Sequence, residues 1–180
     1  VKKSLLAIAQ IEVAVKSFWG DLYHHLPKPE FNGLGSTFAE CEFRHSEAYS
    51  RLLDVLGYNN EFADLLETPV IRKRIDYLSE ALEHTKSTDK KKYVFSLILF
   101  SILIENVSLF SQFAIILSFT RFKGVMKNIS NIIAWTSIDE QVHANAGIFI
   151  VNKIKEEFPD FFDEKTIEEL RIIVADSINV

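Results

Sequence analysis

The 180-residue chain has little of what loop-rich or disulfide-built proteins rely on: one cysteine, four prolines and six glycines. A single cysteine excludes an internal disulfide and fits a reducing compartment, so a cytoplasmic location is expected. So few glycines and prolines exclude collagen-like and low-complexity chains. Positive charge is not in excess either. Twenty Lys and Arg against 25 Asp and Glu leave a net charge of -5, and no electrostatic term favours nucleic acid as a partner. No short basic segment precedes an apolar run at Val1, so no signal peptide is read, and the missing initiator Met makes a chain cut at both ends the expectation. What the chain does have is apolar mass: 48% hydrophobic residues, 15 Phe among them. That is enough for one domain, residues 1–180, with an aromatic core.

The apolar spacing is helical almost throughout, and no alternating β-branched run bounded by hairpin turns occurs, so the fold class is all-α. Helices are expected over Ser4 to His25, ended by Pro27 and Pro29, and over Ser36 to Gly57, with Asn32-Gly33 in the loop between them. A short turn of helix is expected at Glu61 to Leu66. Thr68 and Pro69 read as N-cap and first residue of a helix reaching His84. After a lysine-rich connector, long helices follow over Lys92 to Phe119 and Met126 to Phe158. A last one, capped by Asp163 or Thr166, reaches Ile178. Between Tyr93 and Phe119 the only acid or base is Glu105. Length and apolarity alone would make this segment a membrane candidate. A carboxylate near its centre costs at least about 2.5–3.5 kcal/mol in a bilayer, so a helix buried within a bundle is expected, and no membrane partner.

Two helices carry the same pattern, Glu42-Phe43-Arg44-His45 and Glu140-Gln141-Val142-His143. Residues three apart share a helix face, so each Glu and His can reach one metal. One such pattern is weak; a chance match or an exposed ion pair explains it as well. Glu12, between Ile11 and Val13, and Glu105 are carboxylates in apolar helices. A buried carboxylate must be protonated, paired or on a metal. Two single Glu helices plus two Glu-x-x-His helices make up the ligand set of a ferritin-like dinuclear carboxylate site. Four carboxylates carry -4 and two divalent metals +4, so the buried set is neutral. Mixed oxygen and nitrogen ligands suit iron or manganese and not a thiolate-rich zinc site.

The segment Ala39 to Ser50, Glu-x-x-His followed by Tyr49 four residues after the His, resembles the second ligand helix of the small, radical-generating subunit of class I ribonucleotide reductase. Ser137 to His143 is similar to that family's Asp-Glu-x-x-His segment. Glu105 with Phe113 eight residues on resembles its third ligand helix, and Ile8 to Val13 its first. The resemblance spans nearly the whole chain. It implies that Glu12, Glu42 and His45 bind mostly one metal and Glu105, Glu140 and His143 mostly the other, with carboxylates bridging. It implies that Tyr49 gives up an electron and a proton to the oxidised centre, shielded by Leu109 and Phe113. It also implies that Asp139 partners His45 or His143 on a path to a large catalytic subunit. Taken alone, Tyr49 would be a core tyrosine with a bonded hydroxyl, and Asp139 an exposed helix acid.

The chain departs from the family in three respects. Glu12 stands where many members have Asp. The spacing from Glu105 to Glu140 is long, 35 residues (105 to 140). The family's Trp ahead of the first ligand helix and its C-terminal tail Tyr have no match; Trp19 and Trp135 are not in that Trp position. The similarity is closest to a subclass with two manganese ions, so manganese is favoured over iron, and a homodimer is implied. The alternative is an R2-like ligand-binding oxidase or another di-metal carboxylate oxygenase. A ferritin-like storage bundle is the non-enzymatic option. His24, His25 and His84 read as surface or capping groups, Cys41 as a small buried side chain.

Overall fold

A computed structural model describes residues 1–59, 64 and 66–178. The expected turn at Glu61 to Leu66 lies almost wholly outside the described residues. Every element among them is helical. The helices are α1 (Lys2–Gly20), a single turn α2 (Leu22–His25), α3 (Pro29–Val55) and α4 (Pro69–Thr85). They continue with α5 (Lys90–Lys123), α6 (Lys127–Glu157) and α7 (Glu164–Ile178). A 3-10 turn at Pro159–Phe162 joins the last two.

The bundle is organised around α1, which packs along α3, and α5, which packs along α6. The core is made by Leu5, Ile8, Ile11, Val15, Phe18 and Trp19 of α1 with Phe100, Leu109, Phe113 and Ile116 of α5 and Ile133 and Ile150 of α6. Phe18 stacks on Phe100 with ring centroids 4.9 Å apart, which ties α1 to α5. Hydrophobic burial of such side chains is worth about 1.5–3 kcal/mol each before conformational entropy is charged against it.

Three boundaries differ from the sequence reading. The first helix breaks at Asp21, and only one further turn follows. The second begins at Pro29, not Ser36, so Asn32-Gly33 is helical: Pro29 acts as the first residue of a helix behind an extended Lys28, not as a terminator. Gly35, inside this extension, is where α3 meets the end of α1; a Cβ there would lie 2.6 Å from the Trp19 carbonyl oxygen. The third difference is in α5. Its central part, Leu99–Ser108, is wound as a π-helix, with one residue more per turn than its flanks. Here α5 and α6 come so close that a Cβ on Gly147 would overlap the Ser101 side chain. Helix α5 also starts at Lys90 and runs to Lys123, past the expected end at Phe119. Asp163, not Thr166, caps α7, its carboxylate accepting from the Thr166 amide at 2.7 Å. Gly124, left-handed at φ 68°, closes α5.

The α5 helix is long and apolar enough to cross a membrane by length and composition, but 56% of its most apolar window is buried in the bundle. Glu105 sits at its centre and turns inward, wholly buried. The segment is a core helix of this fold.

Candidate metal centre

The four glutamates come from four helices: Glu12 from α1, Glu42 from α3, Glu105 from α5 and Glu140 from α6. All four are fully buried, and His45 and His143 nearly so. The three-residue spacing places each His one turn beyond its Glu on the same inner face. The π-wound stretch of α5 carries Glu105 into this cluster.

The ligand-capable atoms of these six residues fall into two groups, each with its atoms within 4.8 Å of one another: Glu12, Glu42, His45 and Glu140, and Glu42, Glu105, Glu140 and His143; Cys41, His45 and Asp139 form a third, outer group. Glu42 and Glu140 belong to both. His45 Nδ1 lies 3.5 Å from Glu12, 3.3 Å from Glu42 and 3.0 Å from Glu140. His143 Nδ1 lies 2.6 Å from Glu42, 3.6 Å from Glu140 and 3.9 Å from Glu105. The structure thus brings all six sequence-selected residues together.

The donor atoms fit a pair of cations. His143 Nδ1 and Glu42 Oε1 stand 2.6 Å apart, yet neither is in a hydrogen bond. Both oxygens of Glu12, both of Glu140 and Oε2 of Glu105 are likewise buried without a hydrogen-bond partner. Unpaired buried oxygen is costly, and native proteins rarely leave it so. His45 Nδ1 and Glu42 Oε2 share a hydrogen bond at 3.3 Å, but most of these converging donor atoms have none, the arrangement that two divalent metals would satisfy. The titration behaviour says the same. Burial pushes Glu12 far above the usual carboxylate range, and the carboxylates of Glu140 and Glu42 add to it. Burial likewise raises Glu105, again with Glu140 and Glu42 adding. Glu42 is the exception: burial opposes it, but His143 and His45 beside it pull it down to about 2. His143 is pushed up to about 12 against its own burial, by Cys41 and the carboxylates of Glu140 and Glu42. Burial thus favours the protonated forms of Glu12 and Glu105, and a metal would compete with those protons.

Around this set, each half has its own surroundings. On the outer side of the first, His45 Nε2 lies 3.2 Å from Asp139 Oδ2, and Asp139 is half-exposed. Donation from Nε2–H to Asp139 would leave Nδ1 as the lone pair facing the carboxylates. Cys41 is half-buried, not buried, with its Sγ 3.7 Å from the same nitrogen. Tyr49, one turn beyond His45, is wholly buried, and its hydroxyl donates to Thr136 Oγ1 at 3.2 Å. Leu109 and Phe113 are in the same buried cluster as Tyr49. Beside the second half, the Trp19 indole N–H donates to Glu105 Oε1. Phe38 lies against His143 with ring centroids 4.2 Å apart, and Trp19 meets Phe38 edge-on at 4.9 Å.

Trp19 and Thr136 were not selected from sequence. Each carried a partial signal. Trp19 is seven residues after Glu12, two turns along the same face, and Thr136 is four before Glu140. Helical spacing gives the face but not the partner across the bundle. His24 and His84 are exposed as expected, His24 on Asp21 at 2.6 Å, whereas His25 is mostly buried, stacked on Tyr93 at 4.0 Å.

The family described as "Ribonucleotide reductase, small chain" matches residues 1–180. The chain is 30% identical over 140 residues to a protein of Invertebrate iridescent virus 6 named "Probable ribonucleoside-diphosphate reductase small subunit", covering 72% of this chain and 39% of that protein. A protein of the same name from Invertebrate iridescent virus 3 is 27% identical over 133 residues, 66% of this chain and 35% of its own length. "Ribonucleoside-diphosphate reductase subunit beta" of Chlamydia pneumoniae is 25% identical over 171 residues, covering 88% of this chain and 49% of that protein. The chain therefore spans less than half the length of these relatives. With the all-α bundle and the buried carboxylate and histidine set, the match over the whole chain shows that it belongs to the ribonucleotide reductase small-chain family.

Proposed function

We propose that this chain is the metal-bearing core of the radical- or oxidant-generating small subunit of a ribonucleoside-diphosphate reductase. The observation that carries this is the pair of buried donor groups sharing Glu42 and Glu140, with Tyr49 and Asp139 beside the first. A dinuclear centre held by Glu12, Glu42, His45, Glu105, Glu140 and His143 would supply a one-electron oxidant. Manganese is favoured and iron is the alternative, on the resemblance noted above; the oxygen and nitrogen donors suit both.

The residues of the chain divide the remaining tasks. Glu42 and Glu140, which belong to both donor groups, would serve both metals, and the other four residues would each serve one. Burial behind Phe18, Phe38 and Phe113 excludes water from the centre. Tyr49 is the oxidisable side chain: it holds its proton firmly, because burial pushes the phenol well above its ordinary value. Asp139 keeps the His45 tautomer and links the centre to the surface, where a large catalytic subunit would take up the oxidising equivalent for ribonucleotide reduction. Exposed apolar side chains on α1, α3 and α6, namely Val13, Phe43, Trp135, Ile138 and Val142, support a homodimer.

The test is metal loading followed by electron paramagnetic resonance and a reductase assay with a large subunit added. The expected result is two metals per chain, a signal that Tyr49→Phe alters or abolishes, and deoxyribonucleotide formation that depends on both subunits. A two-metal chain whose oxidised form never supports reduction with a large subunit would count against the reading.

A further inference from the structure

We infer that Thr136 is a positioning residue for Tyr49: its hydroxyl takes the phenolic hydrogen bond and so keeps the phenol off the carboxylates Glu12 and Glu140. Thr136 lies on the inner face of α6 between Ile133 and Glu140 and is 4% exposed. Valine would fill the same volume there without a polar atom. A buried hydroxyl costs free energy unless it is bonded. In helices the usual outlet is the carbonyl four residues back, as Thr37 on Gly33 and Ser101 on Leu97 show here. Thr136 makes no such bond among the described residues; its bond is the one from Tyr49, across the bundle from α3.

The alternative acceptors are grouped with His45, one helical turn from Tyr49. The carboxylates of Glu12 and Glu140 both act on the Tyr49 phenol electrostatically. Both oxygens of each remain free of hydrogen bonds. A phenol bound to either would compete with a metal for a carboxylate lone pair. A neutral hydroxyl avoids this. Thr136 thus separates the phenol from the metal ligands while holding it one helical turn from His45. The hydrogen bond stands on geometry alone; its use in radical chemistry rests on the reading of Tyr49 given above.

The experiment compares wild type with Thr136→Val, Thr136→Ala and Thr136→Ser by ultraviolet resonance Raman spectroscopy, before and after loading with manganese or iron. Subtraction of Tyr49→Phe isolates the Tyr49 bands. Thermal melts check the fold, and Thr136→Ala serves if the Val variant does not fold. The expected result is a shift of the hydrogen-bond-sensitive Tyr49 bands in Val and Ala, and the wild-type spectrum in Ser. Metal affinity should fall in Val and Ala, as the released phenol turns to a ligand carboxylate, and recover in Ser. Bands unchanged by loss of the hydroxyl would overturn the inference, as would affinity that tracks melting temperature and is not rescued by Ser. The expected shifts in the variants, together with a wild type that never yields a tyrosyl signal on oxidation, would sink the role of Tyr49 and leave that of Thr136 standing.

Discussion

The two halves of the carboxylate cluster share Glu42 and Glu140 but are built for different surroundings. The half with Glu12 and His45 is wired outward. His45 reaches the half-exposed Asp139, Cys41 is beside it, and Tyr49 lies a turn away on Thr136. The half with Glu105 and His143 is the more covered, although Cys41 acts on His143 as well as on His45. Trp19 donates to Glu105, Phe38 covers His143, and the π-wound α5 closes over both. On the proposed function, one ligand set would do two jobs: the covered half would keep water from the centre, and the other would offer an exit route for charge. Substitutions that hit one half and spare the other test this division.

The largest effect is expected at the shared position. Glu140→Ala should abolish both metals, read as the metal-to-protein ratio after loading. Retention of one tightly held metal would mean that Glu140 does not bridge. Glu105→Gln comes next and should remove the metal of the covered half only. It keeps the side-chain volume, an acceptor for Trp19, and the fold, so circular dichroism should be unchanged while the ratio halves. Single-partner changes outside the ligand set follow. Asp139→Asn should weaken metal binding in the wired half, and Trp19→Phe in the covered half, each by about 10–100-fold, the range for partners that orient metal ligands. Site-resolved titration separates the two; equal loss at both sites would erase the proposed division.

The smallest and most general effect is that of pH. Burial raises Glu12 in one half and Glu105 in the other, so each carries a proton at a pH where a free carboxylate is ionised. Metal must displace those protons. Affinity therefore rises as pH rises toward the raised values and falls as pH drops, in both halves. Calorimetric titration in buffers of different ionisation enthalpy should show proton release on loading. Heats independent of the buffer would contradict protonated ligands in the metal-free cluster.

Much of this was legible in the sequence, for physical reasons that also mark the limits. The ligands could be read because each lies on a helix whose periodicity fixes its face. Glu42 and His45, and Glu140 and His143, share a face by spacing, and Glu12 and Glu105 stand out because carboxylates are rare in apolar helices. Asp139 and Tyr49 were marked only by the family resemblance; by spacing alone they read as an exposed helix acid and a core tyrosine. What could not be read depends on the third dimension. Trp19 reaches Glu105 across 86 positions and Tyr49 reaches Thr136 across 87. The π winding of Leu99–Ser108 has no residue signature in its apolar run; it is met by Gly147 on the facing helix. The start of α3 was misplaced because Pro29 ends one helix and begins the next equally well, and an extended Lys28 decides it.

The central claim is that two metals sit in this bundle with Glu42 and Glu140 between them. The most direct measurement is anomalous X-ray scattering at the manganese and iron edges on crystals of protein loaded with both metals. The account predicts two peaks per chain, one among Glu12, Glu42, His45 and Glu140 and one among Glu42, Glu105, Glu140 and His143, with manganese at both on the favoured reading. A single peak, or none under any loading, would contradict it.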